Sequence, residues 1–141
     1  MAAALIDTGA ILAYLDRDDR WHRACVEAFR SLRLPLLTTG AVLAEVFHLV
    51  LRDFGGVDRA WDLLDSGAIT LASIRDADLP PLRTLMLRYK DRPMDFADAT
   101  LVHVANREGI RVIFTIDHDD FETYRLTGNR KLMVVPRRTG S

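Results

Sequence analysis

Apolar positions along this chain follow two rhythms: short unbroken runs, and longer stretches in which they recur every three or four residues. The first rhythm predicts buried strands and the second amphipathic helices. Ala3 to Ile6 is such a run. It ends at Asp7, and Thr8-Gly9 punctuate it before a helical pattern through Ile11, Leu12 and Leu15. Asp18 or Asp19 offers a cap for a helix whose apolar face is Trp21, Ala24, Cys25, Ala28, Phe29 and Leu32. Leu36 to Thr38 reads as a second strand. The helix that starts near Thr39 carries Val42, Leu43, Val46, Phe47, Leu49, Val50 and Leu51, apolar nearly all round, which predicts deep burial.

Gly55-Gly56 closes that helix, Asp58 to Asp65 returns to helical spacing, and Ile69 to Ile74 is a third strand rich in branched residues. Pro80-Pro81 opens a helix through Leu82, Leu85, Met86 and Tyr89. Pro93-Met94-Asp95 opens another, Phe96 to Glu108, which stops at Gly109. Val112 to Thr115 is a fourth strand, Asp117 to Glu122 a polar turn, and Met133 to Val135 a last strand before Pro136. This alternation predicts an α/β domain on a parallel sheet with helices on both faces. Such a sheet carries its site beyond the carboxyl ends of its strands, where the strand order reverses. No repeat, linker or low-complexity segment divides residues 1–141, so a single domain is expected.

Composition narrows the chemistry. A formal charge of −1 argues against holding nucleic acid by bulk positive charge, so a nucleic-acid substrate would need a local patch or bound metal. Cys25 is the one cysteine, which removes disulfide frameworks and thiolate metal clusters and suits a reducing cytoplasm. The opening residues lack a basic stretch before the apolar ones, and the longest apolar run, Ala41 to Leu51, is interrupted by Glu45 and His48. Neither secretion nor a membrane span is expected.

The candidate chemistry lies in the acids. Asp7 ends the first strand and Asp117 follows the fourth, so the two share a crevice if those strands are neighbours. Each also has a plain structural use, Asp7 as a helix cap and Asp117 as a turn residue. Glu45 is the one formally charged residue between Ala41 and Leu51. A carboxylate buried there is costly unless an arginine or a metal satisfies it. Asp95 and Asp98 lie on one face at the start of a helix, where negative charge suits the dipole; Asp95 also serves as the cap, and Asp98 is better placed to project into the crevice. Several carboxylates with no thiolate and no obligatory histidine form a donor set that suits Mg²⁺ or Mn²⁺.

Leu5-Ile6-Asp7-Thr8, Glu45, Asp95-Phe96-Ala97-Asp98-Ala99, and Thr115-Ile116-Asp117 with Asp120-Phe121, taken in order, resemble the PIN-domain family and within it the VapC-type toxins. The resemblance implies a sheet of roughly five strands in the order 3-2-1-4-5. It implies a metal site from Asp7, Glu45, Asp98 and Asp117, with Thr8 and Thr115 as supporting hydroxyls and Asp95 and Asp120 as looser participants. The implied activity is Mg²⁺- or Mn²⁺-dependent endonucleolytic cleavage of RNA. Implied partners are a second copy of the chain and a small antitoxin. Gly9 stands where the family more usually has serine. Arg17, Arg20 or Arg92 would guide the RNA backbone.

Two other readings stand beside this one. A PIN-like module that binds RNA or protein without turnover would keep the same residues. Asp7-Thr8-Gly9 also matches the Asp-Thr-Gly signature of aspartic proteases, but that fold is almost entirely β, no second copy of the motif occurs, and the other acids would have no role.

Overall fold

In a computed structural model that describes residues 4–53 and 55–138, strands and helices alternate much as the pattern predicts. Strand β1 (Leu5–Ile6) leads into α1 (Thr8–Leu15) and α2 (His22–Ser31), then β2 (Leu36–Thr39), α3 (Gly40–Val50), α4 (Gly56–Asp65) and β3 (Ile69–Ala72). A 3₁₀ turn (Asp76–Asp78) precedes α5 (Leu79–Arg88) and α6 (Phe96–Glu108). The chain continues through β4 (Val112–Phe114), α7 (His118–Thr123), β5 (Arg125–Leu126), β6 (Arg130–Lys131) and β7 (Met133–Val135).

Five strands form one parallel sheet in the order β3-β2-β1-β4-β7. The outer strand β7 is the Met133 run, so this is the expected order with a small antiparallel hairpin, β5-β6, inserted before the last strand. The hairpin turns through Gly128 and Asn129, both at positive φ, the region those two residue types tolerate best. Successive strand residues point to opposite faces. Leu5 and Ile6 are both fully buried, as are Ile113 and Phe114, so the central strands are covered on both sides. Among the described residues no helix is long and apolar enough to cross a membrane.

Local signals explain four of the seven α-helix starts among the described residues and the end of α6. Asp7, Thr39, Asp95 and Asp117 each accept from a backbone N–H in the first turn of the helix they precede. Gly109 ends α6 at φ +70°, a conformation costly for a residue with a Cβ.

Four expectations need correction. Neither Asp18 nor Asp19 caps α2, which starts after Trp21; Asp19 instead accepts from the Trp21 N–H in a local turn. Gly56 opens α4 rather than closing α3. The polar turn after β4 is the helix α7, capped by Asp117 and anchored by fully buried Phe121. Helix α3 is not buried all round, since Val42, Val46 and Val50 face the core while Leu49 is 53% exposed. Apolar residues on every face of α3 exceed what its neighbours cover, and α1, α4 and α6 pack on only part of it.

Candidate metal centre

The chain runs from β1 outward to β2 and β3, then crosses to β4 on the other side of β1. The point of reversal therefore lies between β1 and β4, and the residues just past their carboxyl ends are Asp7 and Thr115. Parallel pairing aligns Ile6 with Phe114, and the Asp7 N–H donates to the Phe114 carbonyl at 3.0 Å. Thr115 Oγ1 then donates to Asp7 Oδ2 at 3.0 Å and accepts from the Asp117 N–H at 3.0 Å. One buried hydroxyl thus ties together acids 110 positions apart.

Asp7 Oδ1 takes the Thr8 N–H at 2.7 Å, so capping α1 uses one oxygen and leaves the carboxylate at the crevice. Oδ2 takes the Thr115 hydroxyl, so both oxygens are held by the protein, and the structural use and the chemical one are compatible because each carboxylate oxygen can accept more than one contact. Asp98 reaches the same place from α6. Asp95 caps that helix through the Asp98 N–H at 2.8 Å, and Thr100 Oγ1 meets Thr39 Oγ1 at 2.8 Å, locking the first turns of α6 against the end of β2.

The result is a cavity of about 290 Å³ whose walls include Asp7, Glu45, Asp95, Asp98, Asp117 and Asp120. All four acids expected as ligands line it, as do Thr8, Asp95 and Asp120; Thr115 stands behind Asp7. Carboxylate oxygens of Asp98, Asp117 and Asp120 lie within 4.8 Å of one another. Asp120, expected only as a looser participant, therefore stands with Asp98 and Asp117 in the group able to share one ion. Glu45 lines the cavity but is exposed, so the reasoning that it must be satisfied because it is buried does not hold. It arrives on the uncovered face of α3.

Size alone does not mark the site. A larger cleft of about 660 Å³ between α5, α6 and the β5-β6 hairpin is lined by Arg88, Arg125, His103 and neutral residues, without a carboxylate.

In the acidic cavity, burial and mutual repulsion raise several of the carboxylates. Burial pushes Asp7 up to about 6 from its ordinary 3.8, against the Thr8 N–H and the Thr115 hydroxyl, with Asp117 and Glu45 adding to the rise. Asp98 is pushed up to about 8, first by burial and then by Asp7 and Asp95, although the Tyr124 hydroxyl opposes the shift. Asp117 is raised as well, by desolvation and by neighbouring Asp120. Arg92, whose guanidinium meets Asp120 Oδ1 at 3.1 Å, is the cation on the rim. Of the other arginines expected to guide RNA, Arg17 lies in a separate cleft with Asp16, Asp18 and Asp53, and Arg20 sits over Trp21.

One observation tests the fit to a metal. Thr8 Oγ1 is the single buried side-chain polar atom among the described residues without a hydrogen-bond partner, and Thr8 lines this cavity. A buried hydroxyl is rarely left unpaired, and its natural partner here is a water or ion in the cup. Hard oxygen donors, excess negative charge and an orphaned hydroxyl together fit a divalent cation.

The sequence matches the PIN domain family over residues 4–126. This chain belongs to the PIN-domain family. It is 33% identical over 135 residues to Ribonuclease VapC26 of Mycobacterium tuberculosis, covering 94% of this chain and 99% of that protein. The crystal structure of M. tuberculosis VapC20, a Sarcin-Ricin loop cleaving toxin, superposes with a TM-score of 0.73 at 22% identity, covering 82% of this chain and 91% of that one. A toxin-antitoxin complex from Klebsiella pneumoniae gives 0.66 at 20% identity, covering 85% and 91%. The PIN fold accounts for the order of the sheet and for the convergence of acids at its reversal point. Gly9 also has a local reason in this PIN domain: a Cβ there would meet Ile116 Cγ1 at 3.0 Å, so serine would require Ile116 to move.

Sequence reasoning missed one contact. Tyr124 donates from its hydroxyl to Asp98 Oδ2 at 2.9 Å. It belongs to no motif, and the bond spans 26 residues.

Proposed function

We propose that this chain is a Mg²⁺- or Mn²⁺-dependent endoribonuclease and the toxin of a type II toxin-antitoxin pair. The observation that carries the reading is the burial of Asp7 and Asp98 in one cavity, with no side-chain cation bonded to either among the described residues and with four more acids in its walls. Charges so arranged are unstable without a counter-ion. Kinship to a protein named as a ribonuclease supplies the substrate class.

Asp7, Asp98 and Asp117 would hold the ion, with Asp120 and Glu45 within reach of the same cavity. A bound divalent ion supplies a Lewis acid that neutralises phosphate charge and lowers the pKa of water. The chain's own residues arrange for that chemistry. Thr115 orients Asp7 and the start of α7 together; the Asp95 cap fixes the first turn that presents Asp98; the Thr8 hydroxyl is free to hold a water. Arg92 stands where it can exchange Asp120 for an RNA phosphate.

The partners follow from the same reading. The antitoxin is a small protein that blocks the acidic cavity, and RNA as target places the activity in the cytoplasm. Leu49, Leu51 and Trp61, each at least half exposed on the side of α3 and α4, suit burial against a second copy of the chain or the antitoxin. The parallel sheet excludes the aspartic-protease reading. A silent binding module would retain the cavity without turnover.

Purified protein should cleave single-stranded RNA with added Mg²⁺ or Mn²⁺, lose activity in EDTA, and lose it with Asp7→Asn or Asp98→Asn. Induced expression in a bacterial host should arrest growth, and the same substitutions should relieve it. RNA binding without metal-dependent cleavage would favour the silent module, and toxicity undiminished by the substitutions would overturn the catalytic assignment.

A further inference from the structure

Tyr124 is fully buried and does not line the acidic cavity. Its ring is boxed by Phe121 and Tyr89, edge-on at centroid distances of 5.3 and 5.1 Å, and the Tyr89 hydroxyl is itself held by the Arg125 N–H at 2.8 Å. A ring packed this way has little freedom to swing, so its hydroxyl is a fixed donor. The Tyr124 N–H also bonds the Asp120 carbonyl at 3.0 Å, which places Tyr124 at the end of α7, the helix that brings Asp117 and Asp120 to the cavity. Asp98, the acceptor of the hydroxyl, stands on α6. The bond therefore ties the two elements whose three carboxylates come within 4.8 Å of one another. It engages Asp98 Oδ2, while Oδ1 takes no hydrogen bond among the described residues.

We propose that Tyr124 is a positioning residue of the metal centre, setting the orientation of the Asp98 carboxylate and the separation of α6 from α7. This inference rests on the metal-site reading above. A hydrogen bond behind a ligating carboxylate fixes which oxygen faces the ion, and loss of such a contact commonly weakens metal affinity by about 10- to 100-fold.

The test is Tyr124→Phe, which keeps the ring and its packing but removes the donor. Mn²⁺ binding to the full chain is measured at equilibrium by electron paramagnetic resonance, without RNA. The expected result is a Kd for Mn²⁺ raised roughly tenfold or more. Turnover should fall at limiting Mn²⁺ and recover as Mn²⁺ is raised, with KM for RNA nearly unchanged. Tyr89→Phe, which removes a hydroxyl from the same aromatic box without touching Asp98, should bind Mn²⁺ like the parent. In an Asp98→Asn background, Tyr124→Phe should weaken binding no further; an equal loss there would mean general loosening and would overturn the proposal even if the single variant is less stable. A parent that binds Mn²⁺ and a Tyr124→Phe variant that binds it equally well would overturn the proposal alone. A parent with no affinity for Mn²⁺ would remove the metal reading and this inference with it.

Discussion

Two groups of carboxylates in this protein illustrate opposite electrostatic solutions. Asp78, at the start of α5, accepts from the Arg75 N–H at 2.8 Å, His103 Nε2 at 2.8 Å and Arg107 at 3.3 Å. The Arg75 amide, then His103 and Arg107, hold it down to about 2. Asp7 and Asp98 are buried among other acids and are pushed up instead, to about 6 and about 8. The first group is complete within the chain and serves to pin the 3₁₀ turn and α5 to α6. The second, on the function proposed above, would be completed by a bound cation.

The strongest way to break this comparison is to remove an acid from the cup. Asp98→Asn should lower RNA cleavage by roughly 100-fold or more, since a metal ligand accounts for several kcal/mol of transition-state stabilisation. The same variant, measured without metal at pH 8 by thermal melting, should be more stable than the parent because a strained charge is gone. Loss of activity accompanied by loss of metal-free stability would mean that Asp98 is a structural acid after all.

Metal and pH give the next effect. A raised native pKa means that the folded chain binds protons more tightly than the unfolded one. The cost of ionising Asp7 and Asp98 is therefore absent below about pH 4 and grows as pH rises through about 6 and about 8. In EDTA the melting temperature should fall between pH 5 and pH 8. Mn²⁺ should reverse the fall, with stabilisation of about 2.7 kcal/mol when free ion is roughly 100 times its Kd. A melting temperature that rises across that range in EDTA would contradict the charge state assigned to the cup. Asp78 behaves in the opposite sense: its contribution is present above the ordinary 3.8 and is lost as pH falls toward 2, so it is constant across this window.

Smaller effects sharpen the boundary of each group. Glu45→Gln should reduce cleavage by about tenfold, less than Asp98→Asn, because Glu45 reaches the cavity from an exposed position. Equal losses for the two variants would show that burial does not rank the acids. Asp78→Asn should lower the melting temperature by a few degrees at neutral pH and leave cleavage intact. A change in cleavage there would mean that the two groups communicate along α6.

Particular residues show what could be read in advance. Asp7 and Asp98 were legible because strand ends and helix starts are local events, written in a short apolar run followed by Thr8-Gly9 and in the Pro93-Met94-Asp95 entry to α6. The strands and their parallel direction emerged from the same alternation, while their order came from the family resemblance. Glu45 was found, but for a reason the structure removes: periodicity tells which residues share a helix face and not which faces neighbouring elements cover. The hairpin at Arg125 to Lys131 escaped notice because its strands are two residues each and partly charged, with too little pattern to detect. Tyr124 escaped for a different reason, since nothing near it in the chain signals that its hydroxyl meets Asp98.

By itself, then, the order of apolar and polar residues determined the α/β class, the five strands of the main sheet and the positions of the acids along the chain. These depend on backbone geometry and on neighbours a few residues away. Only the tertiary structure decided that Asp98, Asp117 and Asp120 stand within 4.8 Å of one another, that Glu45 is exposed and that Tyr124 ties α6 to α7. Those facts depend on how separate elements pack, and side-chain distances between them are set by the whole core at once.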